Sequence, residues 1–230
     1  MAVHVVSEAD RWVRVKHALV SVSDKRGLAA LVHGLVNMEP DCRILSTGGT
    51  HQAILEILGP ERAARHLGQV ADYTGQPETQ GGLVKTLDFK IYLGLLTETH
   101  NPHHQADLER TRAVPIDLVA VNLYPFRETV ARPGVSPEEA RSQIDIGGPC
   151  MIRAAAKNYL RVAVLTDPAD YEPLLKRMRM NGGRLDLGAR FELAQRAFRH
   201  TAEYDRAIAD HLAARAPAEV EACYRLHGGQ

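Results

Sequence analysis

A doubly wound α/β fold with a mostly parallel sheet and a C-terminal helical segment is what this sequence predicts, and three observations predict it. Short apolar runs rich in β-branched residues alternate with segments of helical periodicity. One run, residues 116–124, lies between Pro115 and Pro125, as a buried parallel strand would. Polar, glycine-containing clusters follow the strand-like runs, where such sheets build their binding sites.

Regular patterning begins at residue 17, so residues 1–15 read as an N-terminal extension. Residues 18–22 (ALVSV) form a first strand. A helix follows through Leu28, Leu31, Val32 and Leu35, with Ser23 or Asp24 positioned to cap it. Residues 42–47 (CRILST) form a second strand, leading through Gly48-Gly49-Thr50 into a helix along Ile54, Leu55 and Leu58. Ser136-Pro137-Glu138-Glu139 combines a cap, a proline at the first helical position and a glutamate three residues on, which marks a helix start. Residues 161–167 form a further strand. Asp167-Pro168 then opens a helix that Gly182-Gly183 closes. From about residue 185 to 214 the pattern of Leu193, Ala197, Phe198 and Thr201 predicts a helical pair, and residues 215–230 form a tail. One domain over residues 16–214 accounts for the whole pattern.

Composition narrows the function classes. An apolar content of 45% with 24% charged residues is that of a globular chain rather than a disordered one. Lysine plus arginine equals aspartate plus glutamate at 28 each, so no global field favours nucleic acid or a membrane surface. Anion binding therefore has to be local. Cys42, Cys150 and Cys223 have no metal or disulfide spacing. No run is long enough to span a bilayer and no signal-peptide pattern opens the chain, so a cytoplasmic location is expected. His100, His103 and His104 have no carboxylate or cysteine partners at ligand spacing, and neither a metal nor another cofactor is expected.

Two turns fit a phosphate. Residues 21–25 (SVSDK) and 46–50 (STGGT) each follow a strand, and glycine lets backbone N–H groups approach an anion at a helix N-terminus. Lys85 and Thr86 lie in a loop-like stretch. Asn122 and Tyr124 end a strand. Residues 144–158 (IDIGGPCMIRAAAKN) join Asp145 to an open glycine backbone and to Arg153 and Lys157.

In this order, SVSDK, STGGT, VKTL, VNLYPF, IDIGGP and RAAAKN closely resemble the IMP cyclohydrolase domain of the bifunctional purine-biosynthesis enzymes. YTGQPE, DPADY and AFRHTAEYD extend the likeness from about His17 to Leu212. The resemblance implies a methylglyoxal-synthase-like fold, a homodimer and closure of formamido-AICAR to IMP with loss of water. It also implies a cyclohydrolase standing free of the formyltransferase half, with a separate AICAR formyltransferase as a possible partner.

Residue by residue, the resemblance makes Lys157 the principal acid–base group, paired with Asp145. Ile146, Gly147 and Asn122 face the formyl oxygen, and Lys85 and Tyr124 polarise or protonate it. Ser23, Asp24 and Lys25 hold the 5′-phosphate with Ser46, Thr47, Gly48, Gly49 and Thr50, while Val84 and Thr86 complete the substrate contacts. Arg153 takes a structural or charge-tuning role. The chain departs from the family at Leu83, where arginine is usual, at Asp88-Phe89 in place of His-Pro, and at Tyr92 in place of histidine. Two other readings stand beside this one: a non-catalytic purine-nucleotide-binding module, and a methylglyoxal-synthase-like lyase.

Overall fold

A computed structural model describes residues 5–77 and 85–228. In chain order the elements are β1 (Trp12–Arg14), β2 (His17–Val22), α1 (Leu28–Met38), β3 (Arg43–Ser46), α2 (Gly48–His66), β4 (Leu67–Gln69), α3 (Val70–Thr74), α4 (Phe89–Leu96) and α5 (Pro102–Thr111). There follow β5 (Leu118–Asn122), α6 (Phe126–Val130), α7 (Pro137–Ser142), α8 (Gly147–Lys157), β6 (Ala163–Leu165), a 3₁₀ turn (Pro168–Asp170), α9 (Tyr171–Met180), β7 (Arg184–Asp186), α10 (Leu187–Ala213) and α11 (Pro217–Glu221).

The main sheet is parallel throughout, in the order β4-β3-β2-β5-β6. Leu19 pairs with Leu45 on one side and Val119 on the other, so β2 is central. It is buried because helices cover both faces, which is why these strands read as apolar runs. The chain builds outward from β2 to β4, then crosses back to place β5 and β6 on the other side. The order reverses between β2 and β5, and a crevice opens beyond Val22 and Asn122. Ala154, Ala155 and Ala156 are buried small residues that let α8 lie close against the sheet.

Three expectations are corrected. The extension is not featureless: β1 pairs antiparallel with β7, Trp12 opposite Asp186 and Arg14 opposite Arg184, with Val13 and Val15 buried. Arg190, fully buried, donates to the carbonyls of Asp10, Tyr159, Leu160 and Leu185 and ties this ribbon to the body. The helical pair is one 27-residue helix, α10. No glycine or proline falls between Ala189 and Ala216 to break it, and its buried stripe runs from Ala189 to Tyr204. Finally, α1 begins at Leu28 with Gly27 at its cap, so neither Ser23 nor Asp24 caps it. The capping box at Ser136 and Glu139 forms as the sequence predicts.

Under the sheet, Arg161 and Asp117 form a buried ion pair at 3.0 Å, with side chains 7% and 9% exposed. Burial pushes the Asp117 carboxyl up and the Arg161 guanidinium down, so both shifts oppose charging. The pair persists because its remaining valences are met. Asp117 accepts the Lys16 and His17 N–H groups, and Arg161 donates to the Ile116 and Gly94 carbonyls. Asp117→Ala leaves a buried guanidinium and two N–H groups short of acceptors. It should lower unfolding free energy by about 3–5 kcal/mol, read as a lower urea midpoint at unchanged slope.

Candidate active site

The crevice at the strand reversal is a cleft of about 380 Å³. Its floor comes from the ends of β2, β3 and β5. Ser21 on β2 and Thr47, just past the end of β3, share a hydroxyl–hydroxyl bond of 3.0 Å. Thr50, buried in the first turn of α2, accepts the Val22 N–H and donates to the Val22 carbonyl, locking that helix to the end of β2.

Two helix N-termini open into the cleft. The first is α2, beginning at Gly48 with φ +44°. A Cβ on Gly48 would lie 3.1 Å from the Lys85 ammonium, whereas Gly49 faces open space. The second is α8, whose Gly147 would bring a Cβ within 3.0 Å of the Thr86 hydroxyl. Lys85 and Thr86 thus bridge the two helix ends. Lys25 adds a second cation to the lining. Unpaired N–H groups and the positive helix end favour an anion at such a place.

Against these cations stands Asp145, the one carboxylate among the described lining residues. Its Oδ1 accepts the Gly148 N–H at 2.8 Å. A Cβ on Gly148 would strike Oδ2 at 2.6 Å, so glycine is required for the carboxylate to lie there. Burial raises the Asp145 pKa, partly offset by that N–H. The backbone N–H of Asp145 donates to the Tyr204 hydroxyl, which donates in turn to the Gln143 carbonyl. Tyr124, 53% exposed, stands at the lip.

Of the residues expected at the site, Ser23, Lys25, Thr47, Gly48, Gly49, Thr50, Lys85, Thr86, Asn122, Tyr124, Asp145, Ile146 and Gly147 line this one cleft. Four residues call for correction. Ser46 is fully buried and donates to the Val20 carbonyl, because residues alternate along β3 and Thr47 takes the outward direction. Asp24 turns away from the cleft to bind Arg26, which holds its carboxyl below the usual range.

Asn122 does not offer its amide to a ligand. Its Oδ1 accepts from the Ser23 N–H, the Ser23 hydroxyl and the Asp24 N–H, while Nδ2 donates to the Asp24 carbonyl. Lys157 is exposed at the far end of α8, about 15 Å along the axis from Gly147. That is too far for its side chain to pair with Asp145 of the same chain.

Val84 and Leu83 lie outside the described residues. Asp88, one of the departures from the family pattern, caps α4 by accepting the Lys90 N–H. Arg153 sits over the Phe198 ring at 5.6 Å. His104 accepts the Glu98 N–H and His100 meets Asp10, and among the described residues no group of three metal-ligating side chains is found. Ser142, Ile144 and Met151 also line the cleft. Ile144 and Met151 lie within the quoted segment 144–158 and Ser142 two residues before it, and that position was the available signal. Tyr204, 59 residues from Asp145, offered none beyond its place in AFRHTAEYD.

Two outcomes follow from this geometry. Gly48→Ala strains a left-handed position by about 1–2 kcal/mol and crowds Lys85, so affinity for inorganic phosphate should fall about tenfold on titration. Gly49→Ala should leave that affinity within twofold. Asp145→Asn should raise the melting temperature at neutral pH. A carboxyl whose folded pKa is raised stabilises the fold below its unfolded pKa and loses that contribution as pH rises through the folded value. The advantage of asparagine should therefore vanish as pH drops below the ordinary carboxylate range.

Comparisons with known proteins agree with this architecture. A family model described as the MGS-like domain matches residues 27–150, and one described as the AICARFT/IMPCHase bienzyme matches residues 155–228. The bifunctional purine biosynthesis protein PurH of Synechococcus sp. (strain CC9605) is 48% identical over 202 residues, covering 88% of this chain and 38% of the relative. PurH of Nostoc punctiforme is 49% identical over 195 residues, covering 85% of this chain and 37% of the relative. The chain thus spans less than two-fifths of the length of these curated relatives. The crystal structure of ForH superposes with a TM-score of 0.68 at 33% identity, covering 84% of this chain and 96% of that one. On these matches and on its parallel sheet, the chain belongs to the MGS-like domain family and is related along this domain to the PurH proteins.

Proposed function

We propose that this chain closes the second ring of a purine nucleotide, converting formamido-AICAR to IMP and water. The observation that carries the reading is the arrangement of Asp145, Lys85 and two helix N-termini around one cleft. The names of the relatives, purine biosynthesis proteins and an AICARFT/IMPCHase bienzyme, support it.

The chemistry asks little beyond placement and proton handling. Both reacting groups sit on the same imidazole, so the encounter is intramolecular. The carboxamide nitrogen attacks the formyl carbon, a C–N bond forms, and the nitrogen gives up a proton as the formyl oxygen gains one. The resulting carbinolamine then loses its hydroxyl with a proton from the formamido nitrogen, as water. Asp145 takes the carboxamide proton; burial makes it a stronger base than an exposed carboxylate. Lys85, Tyr124 and the Gly147 N–H stabilise and protonate the developing oxyanion. The 5′-phosphate rests on the Gly48 and Gly49 N–H groups with Ser23 and Lys25, and Asn122 serves by holding the Ser23 turn.

Incubating the purified chain with formamido-AICAR should yield IMP, followed by its absorbance; no product would rule out ring closure and leave a nucleotide-binding module. Asp145→Asn should lower kcat by about 100-fold or more, the range for loss of a general base. Lys157→Ala should stay within threefold of wild type. A loss of orders of magnitude there would require the Lys157 of a second copy at the cleft.

A further inference from the structure

We propose that Tyr204 is a positioning residue for Asp145, holding from α10 the main chain that carries the carboxylate. The hydroxyl accepts the Asp145 N–H at 2.8 Å and donates to the Gln143 carbonyl at 3.1 Å. Both groups lie just past the end of α7. The Gln143 and Ile144 N–H groups still find carbonyls in that helix, at Ala140 and Arg141, whereas the Asp145 N–H bonds the phenol. A single oxygen therefore pins both sides of the turn into α8.

The phenol has no room to swing. Tyr204 is 7% exposed and its ring meets Phe126 edge-on, with centroids 6.2 Å apart at 69°. On the opposite side the Gly148 N–H holds Oδ1 at 2.8 Å. Asp145 is thus fixed at its amide by α10 and at its carboxylate by the N–H groups of Gly148 and Tyr124, in the lining of the cleft. The hydrogen bonds of the Tyr204 hydroxyl go to Asp145 and Gln143, and not to the turns after β2 and β3 where the phosphate is proposed to rest. Removing the hydroxyl should therefore disturb the chemistry more than the binding.

The kinetic consequence rests on the ring-closure reading. With formamido-AICAR, Tyr204→Phe should lower kcat by roughly 10- to 100-fold, as a misplacement of about 1 Å does, with KM and IMP affinity within threefold. Hydrogen exchange at the Asp145 amide should speed at least tenfold in the variant, while amides inside α8, such as Ile152, keep their protection.

Unchanged kcat in an active enzyme would overturn the proposal, as would equal losses in kcat and IMP affinity, which mark a general structural defect. If the wild type makes no IMP, the functional reading fails, and the exchange arm still decides whether Tyr204 fixes Asp145. Should Tyr204→Phe not fold, wild-type exchange alone decides, and an Asp145 amide exchanging at open-loop rates would overturn the assignment.

Discussion

The site hangs on the carboxamide of Asn122. Where the strand order reverses, β2 and β5 end side by side and the turn after β2 has no strand left to pair with. Its polar backbone would stand unsatisfied. Asn122 meets it with an acceptor for three donors of Ser23 and Asp24 and a donor for the Asp24 carbonyl. Only an amide carries both functions at that length; an aspartate would lack the donor. The clamp sets the direction of the Ser23 and Lys25 turn, and with it one wall of the cleft.

The cleft is also a contest between two physical effects on one carboxylate. The N–H groups of Gly148 and Tyr124 favour ionised Asp145, in a crevice that Lys25 and Lys85 also line. Burial opposes ionisation and prevails, since the pKa is raised overall. A chain with equal numbers of acidic and basic residues can still bind an anion, because the field that matters spans one crevice rather than the whole surface.

Four strands of the central sheet were legible because parallel strands covered on both faces show up as apolar runs: 18–22 and 116–124 were plain on that ground, though the strands run over His17–Val22 and Leu118–Asn122, and the three-residue β4 at the sheet edge went unread. Nor was β1 legible: three residues of alternating exposure carry too little pattern to distinguish from coil. α10 was read as two helices because its polar stretches masked an unbroken buried stripe. At the site, the motif segments converge as their order suggested, but side-chain direction did not follow from the motif. Ser46 and Thr47 are neighbours that face opposite ways, and Asn122 spends its amide on the backbone. Lys157 shares a motif with Asp145, yet a rigid helix carries it to the far end. Tyr204 reaches the site through tertiary packing, for which no local pattern exists.

Arg190 reaches across 180 residues to the Asp10 carbonyl, and among the described residues β1 finds its strand partner in β7. On a ribosome the first strand is made long before the segment that receives it. β1 takes no part in the five-stranded sheet, and Val13 and Val15 are buried in a structure where β7 supplies its partner, so the ribbon has to wait until β7 and the start of α10 have emerged. Arg190 at the start of α10 thus secures Asp10 beside β1, and the β1–β7 ribbon latches together two segments that lie far apart in the sequence.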